Sequence, residues 1–292
     1  MQIPDYPAMR PLEMADRELL QEIFRQLQPQ ISELTFANLY LFRKAHAYAV
    51  SLVEGSLVIF ARGYGGEAYF LPPISGERWE AARMLLALGH SLYGVDEAFL
   101  GEQVLPAGLR VMEDRDNWDY LYLREELATL PGRRFHKKKN RISYFASRHE
   151  FRVEPFSAAH IPGSLELLRK WRETRGGAAS PPLSLEIEAN AEGVQLAEEL
   201  GLCGVVVLIK GRVAAFALGE RLNRESAVCH FEKADPFVEG APQLVNREFS
   251  RLLFNDCTFV NREQDLGEPG LRSAKLSYQP VRMVKKYRAS GS

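Results

Sequence analysis

Apolar and polar residues follow two periods along the first half of the chain, and each period predicts one kind of element. Apolar side chains that recur every three or four positions indicate amphipathic helices at residues 16–28, 34–44 and 76–93. Alternating or continuous short apolar runs predict strands at residues 47–54, 56–62, 68–71, 98–100 and 118–123. Glu54 and Gly55 suit a tight hairpin turn between the first two of these strands.

The second half repeats this order of elements. Helices are predicted at residues 158–174, 186–200, 243–255 and 270–278, and strands at residues 151–156, 204–209, 212–222, 226–232, 258–263 and 281–287. Lys210 and Gly211 form the second predicted hairpin turn, and the stretch GGAASPP at 176–182 is predicted to be a flexible loop. Both halves therefore predict an α/β fold of the α+β type, in which helices cover both faces of a sheet that mixes parallel and antiparallel strands.

The repeat and the length of 292 residues indicate two domains. We predict an N-terminal domain at 1–130, a basic linking helix at 131–150, and a C-terminal domain at 151–292 that carries the candidate active cleft. The phrases SLVEGSLVIFARG and VVLIKGRVAAFALG share a pattern of apolar positions rather than identity, and they support the repeat.

Charge and cysteine content argue against several classes of protein. The 37 Lys and Arg residues oppose 38 Asp and Glu, so binding to nucleic acid or membrane must come from a local patch. The three cysteines form no CxxC pair, which argues against a structural zinc site and a disulfide framework. The start lacks an apolar leader and no run reaches about 18 apolar residues, so we expect a soluble, cytoplasmic protein.

A polar strand at CHFEKADP, residues 229–236, is the first candidate site. Strict alternation places two sets of side chains on opposite faces: Val228, His230 and Glu232 on one, and Cys229, Phe231 and Lys233 on the other. Charges on a strand flanked by apolar sequence need partners, because burying an unpaired charge costs several kcal/mol. Asp235 follows in the same motif. The alternative is a strand end that emerges into water.

Gly240 begins a turn that runs directly into a predicted helix. Free N–H groups and the positive end of the helix dipole at such a turn bind anions. Because the turn follows the polar strand, Gly240 is a candidate for binding a phosphate or another anion.

A third polar segment, VNREQDLGEPGLRSAKLSY, closes a strand and continues into a short helix. One face of the strand is predicted to carry Asn261, Glu263 and Asp265. On the helix, a spacing of three aligns Arg272 with Lys275, and Lys275 with Tyr278, and such an edge suits a phosphate or carboxylate ligand. The alternative is a salt-bridge network that only fixes the turn, formed by Glu263, Asp265, Arg272 and Lys275.

The basic run RRFHKKKNR, residues 133–141, precedes the second domain. With Phe135, Ile142 and Phe145 as an apolar edge, it predicts a basic amphipathic helix that holds the phosphates of RNA, lipid or nucleotide. The alternative is a solvated helix between domains. Two interleaved aromatic residues do not make a platform for stacking nucleic-acid bases.

Three of these motifs together resemble the C-terminal domain of phosphatidylglycerol lysyltransferases and their soluble relatives: FHKKKNRISYF, HFEKADP and NREQDLGEPGLRSAKLSYQP. That family has two tandem GNAT-type domains and is similar to Fem-type peptidyltransferases, which move an amino acid from aminoacyl-tRNA to an amine. The resemblance covers the chain from Phe135 onward, while the first half is similar in layout only. It implies an acyl- or aminoacyl-transfer cleft between two lobes.

The resemblance also points to individual positions in the three motifs. These are His136, Lys137, Lys139 and Asn140 in the basic segment, His230, Glu232, Lys233 and Asp235 in the strand motif, and Asn261, Glu263, Asp265, Gly267, Leu271, Arg272, Lys275 and Tyr278 in the last one.

Two departures from the family pattern limit what the resemblance implies. The lipid-modifying enzymes carry a multispan membrane region before this domain, and this sequence has none, so a lipid acceptor is an open question. The glycine-rich pyrophosphate motif of ordinary acetyltransferases is not recognisable, so coenzyme A is not strongly implied. We expect aminoacyl-tRNA or acyl-CoA as the donor substrate, no metal, no DNA partner and at most peripheral contact with lipid.

The leading hypothesis is transfer of an activated acyl group, with Glu232 as the base that deprotonates the acceptor. Arg272, Lys275 or backbone N–H groups near Gly240 are the candidates for stabilising the oxyanion. The other named residues of the basic segment and the two polar strands bind substrate. The alternatives are a non-catalytic module that binds RNA or anionic headgroups, and an N-acetyltransferase that uses acetyl-CoA.

Overall fold

The computed structural model describes residues 2–101, 108–174 and 181–291, and it confirms the mixed α/β class. The helices are α1 Arg17–Leu27, α2 Phe36–Leu41, α3 Arg43–His46, α4 Arg78–Ala87, α5 Glu97–Gly101, α6 Arg124–Thr129, α7 His136–Ala146, α8 Ile161–Thr174, α9 Pro181–Gln195, α10 Ala197–Leu200, α11 Ala241–Leu252 and α12 Pro269–Leu276. The strands are β1 Arg10–Pro11, β2 Ala49–Val53, β3 Ser56–Arg62, β4 Ala68–Phe70, β5 Ser91–Asp96, β6 Leu109–Glu113, β7 Asp119–Leu123, β8 Phe151–Pro155, β9 Cys203–Ile209, β10 Arg212–Arg221, β11 Ser226–Ala234, β12 Phe259–Asn261, β13 Arg282–Val284 and β14 Lys286–Gly291.

The strands form two mixed sheets of similar design. The first has the order β1-β2-β3-β4-β5-β14-β6, and the second has the order β13-β7-β12-β11-β10-β9-β8. Each sheet contains a parallel pair among its antiparallel strands: β4 with β5 in the first sheet and β11 with β12 in the second. Both predicted hairpins are confirmed, because β2 pairs with β3 around Glu54 and Gly55, and β9 pairs with β10 around Lys210 and Gly211.

Some predicted elements differ from the structure in type or in length. Residues 98–100 are helical in α5, where the Asp96 carboxylate accepts the N–H of Phe99 and favours a helix start over a strand. The helix predicted at 76–93 ends at Ala87, because Gly89 takes φ 86° and the chain turns into β5. The strand predicted at 281–287 is two strands, β13 and β14. Of the loop predicted at 176–182, residues 176–180 lie outside the described residues, and α9 begins at Pro181.

The chain divides into two compact units that are discontinuous in sequence. Unit 1 comprises residues 1–119, 264–272 and 283–292, and unit 2 comprises residues 120–263 and 273–282. These units differ from the predicted contiguous ranges 1–130, 131–150 and 151–292. The physical reason is strand pairing: β14 pairs with β5 and β6 in the first sheet, and β12 pairs with β7 in the second.

Unit 1 buries a cluster of charges beside its sheet. Lys286 Nζ lies 2.7 Å from Asp119 Oδ1 and 2.6 Å from Glu33 Oε2, and the Lys286 side chain is 1% exposed. Ser32 donates both its backbone N–H and its hydroxyl to Asp119. Burial raises the pKa of Glu33, against the opposing effect of the Lys286 charge. The ammonium therefore neutralises two carboxylates that are otherwise costly to bury.

We expect Lys286→Met to destabilise unit 1 by about 3–5 kcal/mol, because it leaves Glu33 and Asp119 without their cation. Chemical unfolding of the two proteins at neutral pH measures the difference. The triple replacement Lys286→Met, Glu33→Gln, Asp119→Asn should recover part of the loss, since it removes the uncompensated carboxylates. Equal stability of Lys286→Met and the unchanged protein would contradict the assigned role.

Candidate active site

A β-bulge at His230 sets the direction of the polar side chains on β11. Gly219 of β10 pairs with Cys229, and Leu218 pairs with Phe231, so His230 is an extra residue on β11. The backbones approach closely there, because a Cβ on Gly219 would lie 2.0 Å from the Val228 carbonyl oxygen. Bulges of this kind re-aim side chains, and they are frequent beside active sites.

The bulge shifts the alternation of faces that the sequence predicts. Cys229 and Glu232 lie opposite Gly219 and Ala217, two positions apart on β10, and so they share one face. The prediction that Cys229 lies on the face of Phe231 and Lys233 is therefore wrong. The extra residue at His230 is the physical reason.

The Glu232 carboxylate is held by an arginine and an amide within unit 2. Arg262 Nη2 lies 3.2 Å from Oε1 and 3.1 Å from Oε2, and Asn246 Nδ2 of α11 lies 2.8 Å from Oε2. The side chains of Glu232 and Arg262 are 19% and 12% exposed. This carboxylate is thus fixed in place while part of its surface stays accessible.

His230 bridges two carboxylates. Its Nδ1 lies 2.8 Å from Glu263 Oε1 and its Nε2 lies 3.0 Å from Glu220 Oε1, and the His230 side chain is 1% exposed. Burial alone would lower the pKa of His230, but the hydrogen bonds and charges of Glu220 and Glu263 outweigh it and raise the pKa to about 10. At neutral pH His230 is therefore an imidazolium that donates to both acids, and it is not a general base.

Lys275 of α12 fixes the segment that carries Arg262 and Glu263. Its ammonium donates to the backbone carbonyls of Arg262 and Glu263, and Lys275 is 8% exposed. Glu263 takes φ 56°, and its N–H donates to Asn261 Oδ1 at 2.7 Å. These contacts hold a residue in the sparsely populated left-handed region, which aims the Glu263 side chain at His230.

The basic run is helix α7, and one of its lysines contacts the polar cluster. Lys138 Nζ donates to Ser277 Oγ at 2.7 Å and lies 4.0 Å from the centre of the Tyr278 ring. Arg262 lies 4.8 Å from the centre of the same ring. Burial raises the pKa of the Tyr278 phenol, so this residue stays protonated at neutral pH.

The residues of α7 that the sequence selects lie on its exposed side. They are His136, Lys137, Lys139 and Asn140. His136 Nε2 and Asn140 Nδ2 are 3.0 Å apart on the helix surface. The structure therefore separates these four from the Glu232 cluster and leaves them on a solvent-facing basic surface.

Gly240 is explained by close packing and not by an open anion site. It is buried, and a Cβ there would lie 2.3 Å from the Arg141 carbonyl oxygen and 2.8 Å from Phe145 Cβ. Helix α7 thus lies against the turn that begins α11. The prediction of an accessible N-terminus at Gly240 is not supported, because the backbone of α7 occupies that space.

Lys233 and Asp235 have partners away from Glu232. Lys233 Nζ lies 2.7 Å from Glu186 Oε1 and 4.3 Å from the centre of the Trp171 ring. Asp235 Oδ2 lies 2.5 Å from Lys170 Nζ. Lys233 alternates with Glu232 along β11, so the two side chains lie on opposite faces of the strand. Lys233 and Asp235 therefore face helices α8 and α9, away from Glu232.

Arg272 and Asp265 belong to unit 1 and form one salt bridge of the network that was the alternative for this segment, whereas Glu263 and Lys275 have other partners. Arg272 Nη2 lies 2.8 Å from Asp265 Oδ1 and 2.7 Å from Asp116 Oδ1. Asp265 is buried, and it also accepts from Arg115 and from the N–H of Gly267. The predicted pairing of Arg272 with Lys275 at one ligand is therefore corrected, because each cation is held by acceptors in its own unit.

Unit 2 brings together His230, Glu232, Asn261, Glu263, Lys275 and Tyr278 from the predicted set. It adds four residues that the sequence analysis missed: Lys138, Glu220, Asn246 and Arg262. A helical signal for Lys138 was available, because Phe135, Lys138, Ile142 and Phe145 recur at helical spacing on the buried side of α7. Simple alternation along the strand places Arg262 on the face opposite Glu263, and no local pattern reveals its contact with Glu232.

The buried thiol of Cys229 lies on the same face as Glu232. Burial, with the neighbouring Glu232 charge, raises its pKa well above the ordinary range. A thiol in this state is a poor nucleophile. Cys229 is therefore not suited to be a nucleophile at this site.

The described residues contain neither a metal site nor a membrane-spanning helix. No group of three His, Cys, Asp or Glu side chains is placed to hold a metal ion. No helix in the same ranges has the length and apolar character needed to cross a bilayer.

Comparisons with known proteins identify the family to which the chain is similar. A family model described as phosphatidylglycerol lysyltransferase, C-terminal, matches residues 24–290. A conserved protein of unknown function from Bacteroides thetaiotaomicron has 29% identity and a TM-score of 0.90, over 100% of both chains. An uncharacterised protein of Mycoplasmoides gallisepticum is 22% identical over 171 residues, which are 58% of this chain and 54% of that protein, so this chain spans about half of its length.

Two more distant structures show the fold alone. L-PGS from Bacillus licheniformis has 15% identity and a TM-score of 0.63, over 100% of this chain and 94% of that one. A tandem GNAT protein from the clavulanic acid biosynthesis pathway has 11% identity and a TM-score of 0.51, over 97% of this chain and 98% of that one. These matches confirm the predicted tandem GNAT-like architecture.

Proposed function

The chain belongs to the phosphatidylglycerol lysyltransferase C-terminal family, and on this premise we propose that unit 2 transfers an activated acyl group to an amine or hydroxyl. An aminoacyl group carried by tRNA is the first candidate for the group transferred, and acyl-CoA is the second candidate donor. The observation that carries the proposal is the Glu232 carboxylate, fixed by Arg262 and Asn246 yet partly accessible. Fixed, partly desolvated acids of this kind serve as general bases.

The transfer step uses Glu232 as the proton acceptor. The acceptor's nitrogen or oxygen attacks the acyl carbon, and the electron pair of the carbonyl moves onto its oxygen to form an oxyanion. Glu232, directly or through one water, takes the proton that the acceptor loses. When the oxyanion collapses, the bond to the donor breaks, and the leaving ribose oxygen or thiolate takes the proton.

Helix α7 supplies the surface for the donor's phosphates. Lys137, Lys139 and His136 are exposed on one short helix, and neither lysine forms an ion pair with the described residues. Cations of this kind hold a phosphate chain without reading its sequence. Lys275, by contrast, acts by positioning Arg262 and Glu263.

A panel of donor analogues tests the proposed function. Thermal unfolding is measured with acetyl-CoA, with coenzyme A and with a non-hydrolysable aminoacyl-adenosine, and transfer is then assayed with the matching donor. A ligand at about 100 times its Kd stabilises the folded state by about 2.7 kcal/mol. Stabilisation by the aminoacyl-adenosine supports the leading candidate, and stabilisation by acetyl-CoA alone supports an N-acetyltransferase. A shift with none of them, and no transfer, would overturn the proposal.

The basic surface of α7 distinguishes an enzyme from a binding module. The double variant Lys137→Glu, Lys139→Glu should weaken tRNA binding and lower the slope of log K against log salt by about 2. The matched control is Lys210→Glu, Arg212→Glu, which reverses two exposed charges at the same spacing in the β9–β10 hairpin. Equal losses in both variants would mean that net charge alone drives binding. A protein that binds tRNA through α7 and transfers nothing is the non-catalytic module.

A further inference from the structure

Two polar atoms beside Glu232 are buried without a hydrogen-bond partner among the described residues. They are Arg262 Nη1 and Asn246 Oδ1, and each belongs to a residue whose other polar atom binds the Glu232 carboxylate. A buried donor or acceptor without a partner is unfavourable, so native proteins retain few of them. Each of the two residues that hold Glu232 therefore has a second buried polar atom that the described residues leave without a hydrogen bond.

The same place carries more positive than negative charge. Lys138 and Arg262 both lie over the Tyr278 ring, at 4.0 and 4.8 Å from its centre, and Glu232 is the carboxylate that contacts Arg262. Burial lowers the pKa of Lys138, and the Arg262 charge lowers it further, while Glu232 raises it. Two cations that contact the same ring favour a negatively charged group near them.

We infer that Arg262 Nη1, together with the Lys138 ammonium that contacts the same Tyr278 ring, binds the oxygen of the acyl group that is transferred. The inference rests on the proposed function and assigns the oxyanion site that the sequence analysis placed at Arg272, Lys275 or Gly240. Those three positions have other contacts, to Asp265, to backbone carbonyls and to α7. Arg262 is instead a buried donor one residue before Glu263 and in contact with Glu232.

The chemistry of the step matches this placement. The carbonyl oxygen gains negative charge as the acceptor attacks, and a fixed N–H donor in a site of low polarity stabilises that charge most strongly. The charge of Arg262 is shared with Glu232, so its Nη2 holds the base and its Nη1 is left for the oxyanion. One guanidinium thereby fixes the distance between the proton acceptor and the reacting carbonyl.

Methylphosphonate is the probe, because it is a small tetrahedral oxyanion without a nucleotide or an amine. Its binding to the full chain is measured by calorimetry or by its phosphorus NMR signal. We expect saturable binding, weakened about tenfold or more in Arg262→Gln and in Lys138→Gln, since each loses a charge-assisted hydrogen bond. Lys210→Gln is the control, with the same loss of charge at an exposed lysine of the β9–β10 hairpin, and it should change the affinity less than about twofold.

Arg262→Lys covers the case in which Arg262→Gln does not fold, because it keeps the charge but loses the second N–H arm. Its affinity for methylphosphonate should fall by a similar factor. The inference is overturned if the unchanged protein binds no methylphosphonate, if Arg262→Lys and Lys138→Gln bind as tightly as the unchanged protein, or if Lys210→Gln loses as much as Lys138→Gln. If transfer depends on Glu232 while methylphosphonate binding ignores Arg262, the inference fails and the proposed function stands.

Discussion

Replacing Glu232 with glutamine is expected to lower the transfer rate by about 10²–10⁴-fold, the usual effect of losing a general base. The amide keeps the shape of the side chain and still accepts from Arg262 and Asn246, but it cannot take a proton. The effect should fall on kcat, since Glu232 acts on the attacking acceptor and not on donor affinity. Single-turnover transfer with the donor identified by the panel measures it.

Stability has to be separated from chemistry in this variant. Arg262 loses the charge of its partner, so we expect the free energy of unfolding to fall by about 1–3 kcal/mol. Glu186→Gln is the matched control, because Glu186 is also a carboxylate paired with one basic residue, Lys233, which lies on the face of β11 opposite Glu232. Retention of full transfer in Glu232→Gln would remove Glu232 from the reaction. An equal loss in Glu186→Gln would point to folding instead.

Sequence patterns correctly predicted those parts of the fold that a few neighbouring residues determine. Both hairpins follow from a two-residue turn with positive φ at each position, Glu54-Gly55 and Lys210-Gly211, and both are confirmed. The family motifs likewise predicted the tandem GNAT-like architecture that the comparisons confirm. In these cases a few neighbouring residues determine the outcome.

The details of the site depend on contacts between distant residues. The bulge at His230 needs the backbone of β10 at Gly219, so alternation along β11 alone assigned Cys229 to the wrong face. Arg272 and Lys275 are neighbours on one helix, yet Arg272 is held by Asp116, which lies 156 residues earlier. Lys138 lies on the buried side of α7, whereas Lys137 and Lys139 lie on its exposed side. The spacing of the apolar residues in this segment predicts that difference.

The site also depends on a histidine whose charge is maintained by two acids, and this has a measurable consequence for stability. In the unfolded chain His230 should titrate near its ordinary value of about 6.5, whereas in the folded protein its pKa is about 10. A folded-state pKa above the unfolded one means that protonation stabilises the fold. The contribution is complete below about pH 6.5 and is lost as the pH rises through about 10.

The free energy of unfolding should therefore fall between pH 6.5 and 10 by up to about 5 kcal/mol more in the unchanged protein than in His230→Gln. The glutamine stays neutral throughout, so other groups that titrate in this range cancel in the difference. The variant should be less stable at pH 6.5, because Glu220 and Glu263 lose the cation that they share. Urea unfolding at half-unit steps of pH measures both curves. Parallel curves would mean that His230 is neutral in the fold and that Glu220 or Glu263 carries the bridging proton.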